Sequence, residues 1–411
     1  MLNGPFSPWP SFSAEEAQAI SNVLISNKVN YWTGQECRTF EKEFAAWAEV
    51  PHAIALANGT VALDLALQGL GVGARNGGSA TDEVIVTPRT FIASISCVVT
   101  AGAIPVFADV DMESGNITAE TIKAVVTSNT KAVIAVHLAG WPCDMDAIMA
   151  LSEAHKFHVI EDCAQAHGAR YRGRSVGSIG HVGAWSFCQD KIMTTGGEGG
   201  MVTCNDKALW QRMWSHKDHG KSYEAVYERQ HPPGFRWLHE SFGTNWRMLE
   251  IQAAIGRYQL AKMDSWMAAR NQNSTLLDQA LTPFSGDKGV VRLPRFACAG
   301  CDGACGGSSC AHARYKYYCY VRPENLASGW SRDRIVNEIS KLGVPAFQGS
   351  CSEVYLERAF DGTGWRPSAP LPAARQLGET SLMFLVHPSL QEAEMAKAQQ
   401  VISTVLADCT K

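Results

Sequence analysis

Short apolar segments alternate with amphipathic segments over the first half of the chain. The apolar segments are rich in β-branched residues and predict seven strands, at Ala53–Leu56, Glu83–Val86, Pro105–Ala108, Ala132–Val136, Val159–Asp162, Ala184–Phe187 and Gly200–Thr203. Strands that are separated by helical segments are typical of a mostly parallel sheet covered on both faces. We therefore predict an α/β fold built on a large, mostly parallel seven-stranded sheet.

Helical patterns flank these strands. The residues Ser13–Glu16 match a capping box and predict a first helix over 14–27. Further helical patterns at Asn245–Gly256 and Leu260–Leu277 lead into a second part of the chain, which ends in a helix near 391–407. We expect residues 1–256 to hold an N-terminal arm and the large domain, and residues 257–411 to form a smaller C-terminal α+β domain.

Composition and charge narrow the class of ligand. The 411 residues are 46% hydrophobic, which is enough for two cores, and the net charge of -4 gives no basic field for nucleic acid. No apolar run approaches the roughly 20 residues that span a bilayer, and the chain does not begin like a signal peptide. We therefore expect a cytoplasmic protein with small-molecule ligands, without nucleic acid or membrane partners.

The cysteine pattern supports the same compartment. The chain has thirteen cysteines, and most of them stand alone in apolar segments, as Cys97, Cys163, Cys188 and Cys204 do. Such residues are typical of reduced thiols in a protein core rather than of disulfides.

Two residues near strand ends carry the candidate chemistry. Lys191 follows an apolar strand and precedes a glycine-rich segment, and Asp162 closes another apolar strand. Pyridoxal phosphate requires an amine that holds its aldehyde and a carboxylate that keeps its pyridine nitrogen protonated. We predict that Lys191 and Asp162 supply these groups. The alternatives are a surface lysine in a turn and a structural carboxylate in an ion pair or helix cap.

Nearby polar residues complete the predicted cofactor site. Gln165 is placed to reach the phenolic oxygen, and His167 either lies beside the cofactor or is a core histidine. Gly59 and Thr60 stand at a predicted strand-to-helix turn, where free amides and the helix dipole favour a phosphate. Ser186 offers another hydroxyl. A Gly-Thr turn alone is weak evidence, because many helices begin in this way.

Two residues after the Glu83–Val86 strand are candidates for contacts with cofactor and substrate. Phe91 offers a flat partner for the pyridine face, although a single phenylalanine is more often part of a core. Arg89 offers a guanidinium for a substrate anion, and the alternative is a surface ion pair.

The motifs together resemble those of the sugar aminotransferases of the DegT/DnrJ/StrS family. The motifs that carry the resemblance are Asn58–Thr60, Glu161–Ala169, Ser186–Phe187 with Lys191, Gly197–Met201 and Asn245–Met248. The resemblance covers nearly the whole chain and implies the aspartate aminotransferase fold, called type I, with pyridoxal 5'-phosphate as cofactor. It also implies a homodimer with shared active sites, in which Asn245 reaches the phosphate of the neighbouring subunit's cofactor. The alternative for Asn245 is a helix cap.

The resemblance further implies a ping-pong transfer of an amino group. An amino donor, expected to be L-glutamate, displaces Lys191 and leaves pyridoxamine phosphate, from which a keto or aldehyde sugar takes the amine. The sugar is either nucleotide-linked or an oxidised 3-deoxy-octulosonate, which would give an 8-amino sugar acid of lipopolysaccharide. The segment Pro345–Arg358 departs from the family pattern and indicates a substrate subclass.

A cysteine-rich loop at 298–310 is unusual for the family. Its cysteines are Cys298, Cys301, Cys305 and Cys310. Their spacing lacks the paired C-x2-C arrangement of strong metal sites, so we assign no metal and expect a flexible loop. We consider two alternatives to an enzyme. One is a non-catalytic pyridoxal phosphate-binding regulator, and the other is a metal or redox sensor that uses this loop.

Overall fold

The computed structural model describes residues 5–294 and 310–411, which fold around a seven-stranded and a four-stranded sheet. The strands of the described residues are β1 His52–Leu56, β2 Glu83–Val86, β3 Ile104–Phe107, β4 Thr130–Val136, β5 His158–Asp162, β6 Arg170–Tyr171, β7 Arg174–Ser175, β8 Val182–Ser186, β9 Gly200–Cys204, β10 Val291–Arg292, β11 Tyr317–Val321, β12 Ala346–Phe347 and β13 Ser381–Phe384.

Helices cover both sheets. Their bounds are α1 Ala14–Ile25, α2 Glu36–Trp47, α3 Gly59–Leu70, α4 Ala93–Thr100, α5 Ala119–Lys123, α6 Met145–His155, α7 Lys207–Lys217, α8 Tyr223–Tyr227, α9 Glu250–Leu260, α10 Met263–Leu281, α11 Arg332–Lys341, α12 Pro372–Thr380 and α13 Glu392–Asp408.

The large sheet has the order β1-β9-β8-β5-β4-β2-β3. Strands β8, β5, β4, β2 and β3 are parallel, while β9 runs antiparallel to both β1 and β8. The seven predicted strands are confirmed, with boundaries that differ by two residues or fewer. The carboxyl ends of β1, β5 and β8 therefore meet at one edge of the sheet, where ligands of α/β proteins collect.

The second sheet is antiparallel and has the order β10-β11-β13-β12. Helices α10, α11 and α13 cover it, and their apolar faces share a core with it through Leu277, Ile335, Leu382 and Ile402. The final helix was expected near 391–407 and is confirmed as α13. The proposed division of the chain at 256/257 falls within α9, and it stays a prediction of where the large domain gives way to the small one.

The helix predicted from Asn245 starts later than its sequence pattern indicated. Residues 245–249 are extended, because Asn245 bridges to Asp218 and Arg247 bridges to Leu56 of β1. Helix α9 begins only at Glu250, so the interpretation of Asn245 as a helix cap is wrong. Main-chain pairing with distant segments overrides the local apolar period here.

Helix α1 has the predicted start and an earlier end. The Ser13 hydroxyl accepts the amide of Glu16, and the Glu16 carboxylate accepts the amide of Ser13, which confirms the capping box. The helix ends at Ile25 rather than at residue 27, because Asn27 takes a left-handed conformation with φ 57°.

The cysteines of the described residues are free, and Cys97, Cys163 and Cys204 are buried as expected, while Cys188 is half-buried. Of the loop cysteines, Cys298, Cys301 and Cys305 lie outside the described residues. Cys310 is buried, and its sulfur accepts the amide of Arg172 at 3.3 Å. In the part of the chain that the structure describes, none of the helices combines the length and hydrophobicity that a membrane span requires.

Glu161, one residue before the end of β5, is a fully buried carboxylate with four donors. Its Oε2 contacts Nε2 of His137 at 3.0 Å and accepts the amide of Gly177 at 2.8 Å. Its Oε1 accepts the amides of Ile179 at 2.8 Å and Gly180 at 2.6 Å. Burial alone would raise the pKa of Glu161, but the hydrogen bonds from His137 and these amides outweigh burial and lower it. The charge thus joins the end of β4, β5 and the loop that leads into β8.

We predict that Glu161→Ala lowers the free energy of unfolding by about 3–5 kcal/mol, because buried amides and His137 lose their acceptor. Denaturant unfolding at pH 7 measures this, and Glu153→Ala on the exposed surface of α6 is the matched control. The pKa of Glu161 is lower in the folded than in the unfolded state, so its contribution is present above the ordinary carboxyl pKa of 4.5 and is lost as pH falls through the folded pKa. Equal stability of the two variants at pH 7 would contradict the assignment.

Candidate active site

A cavity of about 960 Å³ lies between the carboxyl edge of the large sheet and the small sheet. Its large-sheet side is formed by the ends of β5 and β8 and the start of α3. Its other side is formed by residues of β11 and β12 and by the segment after β12. The candidate residues that line it are Gly59, Thr60, Phe91, Asp162, Gln165, Ser186 and Lys191. The structure therefore brings together most of the residues that the sequence singled out.

Lys191 lies in the turn after β8, and its side chain points into this cavity with 16% exposure. Its Nζ lies 3.9 Å from Oδ1 of Asp190 and 5.3 Å from the ring centroid of Tyr315. The main chain of this turn is held from the N-terminal arm, because Nε1 of Trp9 donates to the carbonyl oxygen of Lys191 at 2.8 Å. This enclosed position differs from that of a surface lysine in a turn.

Trp9 itself is fixed by residues far along the chain. Its ring packs edge-on against Trp266 at 5.1 Å and stacks on His387 at 5.9 Å, and the Arg270 guanidinium lies 5.2 Å from the ring centroid. The neighbouring Pro8 carbonyl accepts the hydroxyl of Ser389 at 2.7 Å. The arm therefore ties the small domain to the lysine turn.

Asp162 ends β5 with its carboxylate buried at the cavity wall. Its Oδ2 accepts the Ser94 hydroxyl at 2.9 Å, and its Oδ1 accepts the Ala164 amide at 3.1 Å. Burial raises the pKa of Asp162 above its ordinary value, even though these donors and the charges of Lys191 and His137 act in the opposite direction. A carboxylate with few donors in such a place gains from a cation in the cavity.

Gln165 and His167 occupy different surroundings. The Oε1 of Gln165 accepts the amide of Ala139 at 2.8 Å, so the amide group of the side chain is the end that is free to donate into the cavity. His167 is fully buried behind the wall, where its ring packs against Trp185 at 5.3 Å and Phe187 at 5.7 Å. Burial lowers the pKa of His167 to about 3, which keeps it neutral in this core position.

The start of α3 forms the anion-binding side of the cavity. The Asn58 side chain caps the helix by accepting the Val61 amide at 3.0 Å, which leaves the amides of Gly59 and Thr60 without intrahelical acceptors. A Cβ on Gly59 would lie 2.4 Å from Cβ of Ser186, so glycine is what allows α3 to approach the end of β8. Free amides, the helix dipole and the Ser186 hydroxyl thus converge where a phosphate would bind.

Phe91 lies on the cavity side of the wall, whereas Arg89 is buried behind it. The Phe91 ring is 69% exposed and lines the cavity, so it is available to cover a flat ligand rather than to fill a core. Arg89 is fully buried and donates to the Tyr320 hydroxyl at 2.8 Å, with its guanidinium 5.5 Å from the Tyr318 ring centroid. The surface ion pair considered for Arg89 is therefore wrong, and its side chain supports β11 instead of lining the cavity.

Asn245, like Arg89 and His167, does not line the cavity of its own chain. It is exposed in the extended segment before α9 and bridges to Asp218. The contact of Asn245 with the cofactor phosphate of a neighbouring subunit stays a prediction.

The small-domain side of the cavity contributes residues that were missed. Tyr315, Lys316 and Tyr318 line it, as do Phe347, Gly349, Ser350, Cys351, Met383 and Leu385. Of these, residues 347–351 belong to the segment Pro345–Arg358, whose departure from the family pattern was the available signal. The alternation of basic and aromatic residues in Arg314–Tyr320 was a second signal, which predicts a strand with one face on a ligand.

Comparison with known proteins identifies the family. The model of the DegT/DnrJ/EryC1/StrS aminotransferase family matches residues 10–405. The chain belongs to this family. Aminotransferases of this family use pyridoxal phosphate and have the type I fold, which confirms the expected cofactor and architecture.

Individual relatives agree over most of the chain. An aminotransferase from Psychrobacter cryohalolentis has a solved structure that is 63% identical, covers 98% of this chain and 99% of its own, and has a TM-score of 0.93. The dTDP-3-amino-3,4,6-trideoxy-alpha-D-glucose transaminase of Streptomyces venezuelae is 39% identical over 95% of this chain and 91% of its own. The GDP-perosamine synthase of Caulobacter vibrioides is 35% identical over 89% of both chains.

The cavity of this aminotransferase fits pyridoxal phosphate. Asp162 offers a buried carboxylate with raised pKa to the pyridine nitrogen, and Lys191 offers an amine in the same cavity. The amides at the start of α3 and the Ser186 hydroxyl form an anion cradle into which a Cβ at Gly59 would intrude. The pyridine nitrogen, the aldehyde and the phosphate of the cofactor thus each have a matching partner on the wall.

We predict that Gly59→Ala weakens binding of pyridoxal phosphate to the apoprotein by about tenfold or more, because its Cβ overlaps Ser186 and pushes α3 away from β8. Fluorescence titration of the apoprotein with the cofactor measures the dissociation constant. Gly286→Ala is the matched control, since a Cβ there meets open space. Equal cofactor affinity in Gly59→Ala and in the wild type would remove the phosphate cradle from α3.

Proposed function

We propose that this aminotransferase transfers an amino group from L-glutamate to the carbonyl carbon of a keto or aldehyde sugar. The convergence of Lys191, Asp162 and the free amides of α3 on one cavity is the observation that supports it. Two of the relatives act on sugars, as the names of the perosamine synthase and of the aminotrideoxyglucose transaminase state. The free cysteines of the described residues also fit our proposal of a cytoplasmic enzyme.

Each residue of the cavity has a separate role in the proposed transfer. Bound pyridoxal phosphate supplies an electron-accepting ring that stabilises negative charge at the Cα of the donor. Asp162 holds a proton on the pyridine nitrogen, and its buried position strengthens that interaction. The free amide of Gln165 donates to the phenolic oxygen. Phe91 covers one face of the ring and excludes water from it.

Lys191 has two tasks in this proposal. Its amine would hold the cofactor in the resting enzyme, and in the presence of the donor its Nζ would accept the proton that leaves the donor Cα. The hydrogen bond from Trp9 fixes the main chain of the lysine turn, so the amine returns to the same position in both halves of the ping-pong cycle.

The sugar belongs to one of two classes. The two relatives named above act on nucleotide-linked sugars, which supports a nucleotide-linked keto sugar. An oxidised 3-deoxy-octulosonate is the second candidate, because the segment Pro345–Arg358, which departs from the family pattern, contributes Phe347, Ser350 and Cys351 to the cavity. Turnover assays with both classes of carbonyl sugar distinguish them.

We also propose that the enzyme is a homodimer with shared active sites. Asn245 is exposed and does not line its own cavity, and the preceding segment exposes the large apolar side chains of Phe235, Trp237 and Phe242. A second subunit would cover these side chains and bring Asn245 to the cofactor phosphate of its partner.

We predict that wild-type holoenzyme treated with borohydride carries the cofactor covalently on Lys191, and that L-glutamate added beforehand abolishes this attachment. Peptide mass spectrometry measures both results, together with the loss of the cofactor's visible absorbance. Lys191→Ala should fold, show no attachment and lose transamination, whereas Lys123→Ala in α5 should behave as wild type. A protein that takes up no cofactor would favour the metal or redox sensor, and bound cofactor without glutamate-dependent bleaching would favour the regulator.

We predict that mixing inactive Lys191→Ala and Asn245→Ala proteins under conditions that exchange subunits restores activity. If the sites are shared, one site of each mixed dimer carries both defects and the other carries none, so random exchange returns about a quarter of wild-type activity. Lys191→Ala mixed with Asp162→Asn is the control, because both residues belong to the same chain's cavity. Failure of the first mixture despite demonstrated subunit exchange would contradict a shared site.

A further inference from the structure

Lys316 is a second lysine on the wall of the active-site cavity. It lies just before β11 on the small-domain side, and its Nζ is 4.9 Å from the ring centroid of Tyr315. The Nζ of Lys191 lies 5.3 Å from the same centroid. The two ammonium groups therefore belong to one site, yet the mechanism above uses only one of them.

Within residues 5–294 and 310–411, no salt bridge compensates the charge of Lys316. The nearby carboxylate of Asp190 is engaged by the Tyr315 hydroxyl and faces Lys191 at 3.9 Å. Burial lowers the pKa of Lys316 to about 8, with Asp190 acting in the opposite direction and Arg270 and Lys191 adding to the effect of burial. A cation that is partly desolvated and without an ion pair costs free energy, and an anionic ligand would offset that cost.

The wall around Lys316 is shaped for a polar ligand. The Tyr318 hydroxyl accepts the Ser350 amide at 2.9 Å and lies 3.0 Å from the Ser350 hydroxyl. Gly349 makes this approach possible: it has φ 95°, and a Cβ there would lie 2.4 Å from the Tyr318 ring. Two hydroxyls are thus held on the small-domain side of the cavity, which also carries Lys316, whereas the phosphate cradle lies on the large-sheet side.

We propose that Lys316 is the anion-binding residue of the substrate side of the cavity, where its ammonium group binds a carboxylate of the substrate. The proposal rests on the proposed aminotransferase function and deepens it, because it names a group by which the cavity selects its substrates. Two substrates are possible sources of the carboxylate: the amino donor and an acceptor that is a sugar acid. Lys316 would be a specificity-determining residue in either half-reaction.

Binding of unreactive carboxylates to the holoenzyme tests the proposal without turnover. Glutarate has the two carboxylates of the donor and lacks its amine, and 3-deoxy-octulosonate represents a sugar acid without the reactive carbonyl at C8. Calorimetric titration of wild type and Lys316→Gln measures both affinities. We expect a loss of about tenfold or more for one of the two probes in Lys316→Gln, as for a lost hydrogen bond between charged groups. A loss of affinity for glutarate assigns the bound carboxylate to the amino donor, and a loss of affinity for 3-deoxy-octulosonate assigns it to the acceptor.

Two further variants separate charge from packing. Lys316→Arg keeps the positive charge and should retain most of the affinity, and Lys123→Gln removes an exposed lysine of α5 and should bind as wild type. Unchanged affinity for both probes in Lys316→Gln overturns the proposal. Borohydride attachment to Lys191 is measured in the same samples, so that its absence reports failure of the aminotransferase function, whereas its presence with unchanged affinities reports failure of the Lys316 assignment alone.

The pH dependence of probe binding distinguishes a charge contact of Lys316 from a purely structural role, because a structural role would not change with the charge of this residue. The titratable and charged groups around Lys316 are Asp190, Lys191, Arg270, Tyr315 and His387. The pKa of Lys316 is about 8, so its charge is present below this pH and is lost as pH rises through it. The affinity of the wild type for the probe whose binding is weakened in Lys316→Gln should therefore fall between pH 7 and pH 9. Lys316→Arg should remove this fall. Identical pH profiles of wild type and Lys316→Arg would contradict the assignment.

Discussion

The buried charge of Glu161 is the constraint on which the active site depends. Four donors surround it, and they come from the residue that follows β4 and from the loop that leads into β8. Asp162 is the next residue along β5, so the cluster fixes the end of the strand that carries the cavity carboxylate. A buried carboxylate is costly, and this one is tolerated because four donors satisfy its oxygens. The segments that supply these donors are therefore held in fixed positions.

Glu161 and Asp162 show how one strand gives two carboxylates different properties. Their side chains point to opposite faces of the sheet, as successive residues of a strand do. Donors on one side lower the pKa of Glu161, while burial with fewer donors raises the pKa of Asp162. The first carboxylate is therefore satisfied by the protein, and the second retains capacity for a cation in the cavity. Environment, rather than residue type, separates the structural group from the one available for chemistry.

Much of the fold could be predicted from the sequence because its signals are local. Buried parallel strands are continuous apolar runs, and the polar residues that follow them mark the ligand edge, which is how Asp162 and Lys191 were found. The extended segment at Asn245 was not predictable in this way, since its conformation depends on pairing with Asp218 and Leu56, residues that are distant in the sequence. The same reason applies to Arg89, which is buried by tyrosines of β11, and to Lys316, which reaches the cavity only when the small sheet packs against the large one.

The contacts of the N-terminal arm have a consequence for how the protein is made. Trp9 holds the carbonyl of Lys191, but its ring rests on His387, and the neighbouring Ser7 amide donates to the Glu394 carboxylate. A ribosome delivers residues 387–394 long after residues 7–9, so the arm cannot complete these contacts until residues 387–394 have been synthesised. The large sheet can form during translation, whereas the lysine turn reaches its final arrangement only when α13 has emerged. The final arrangement of the turn that carries Lys191 is thereby coupled to the synthesis of residues 387–394.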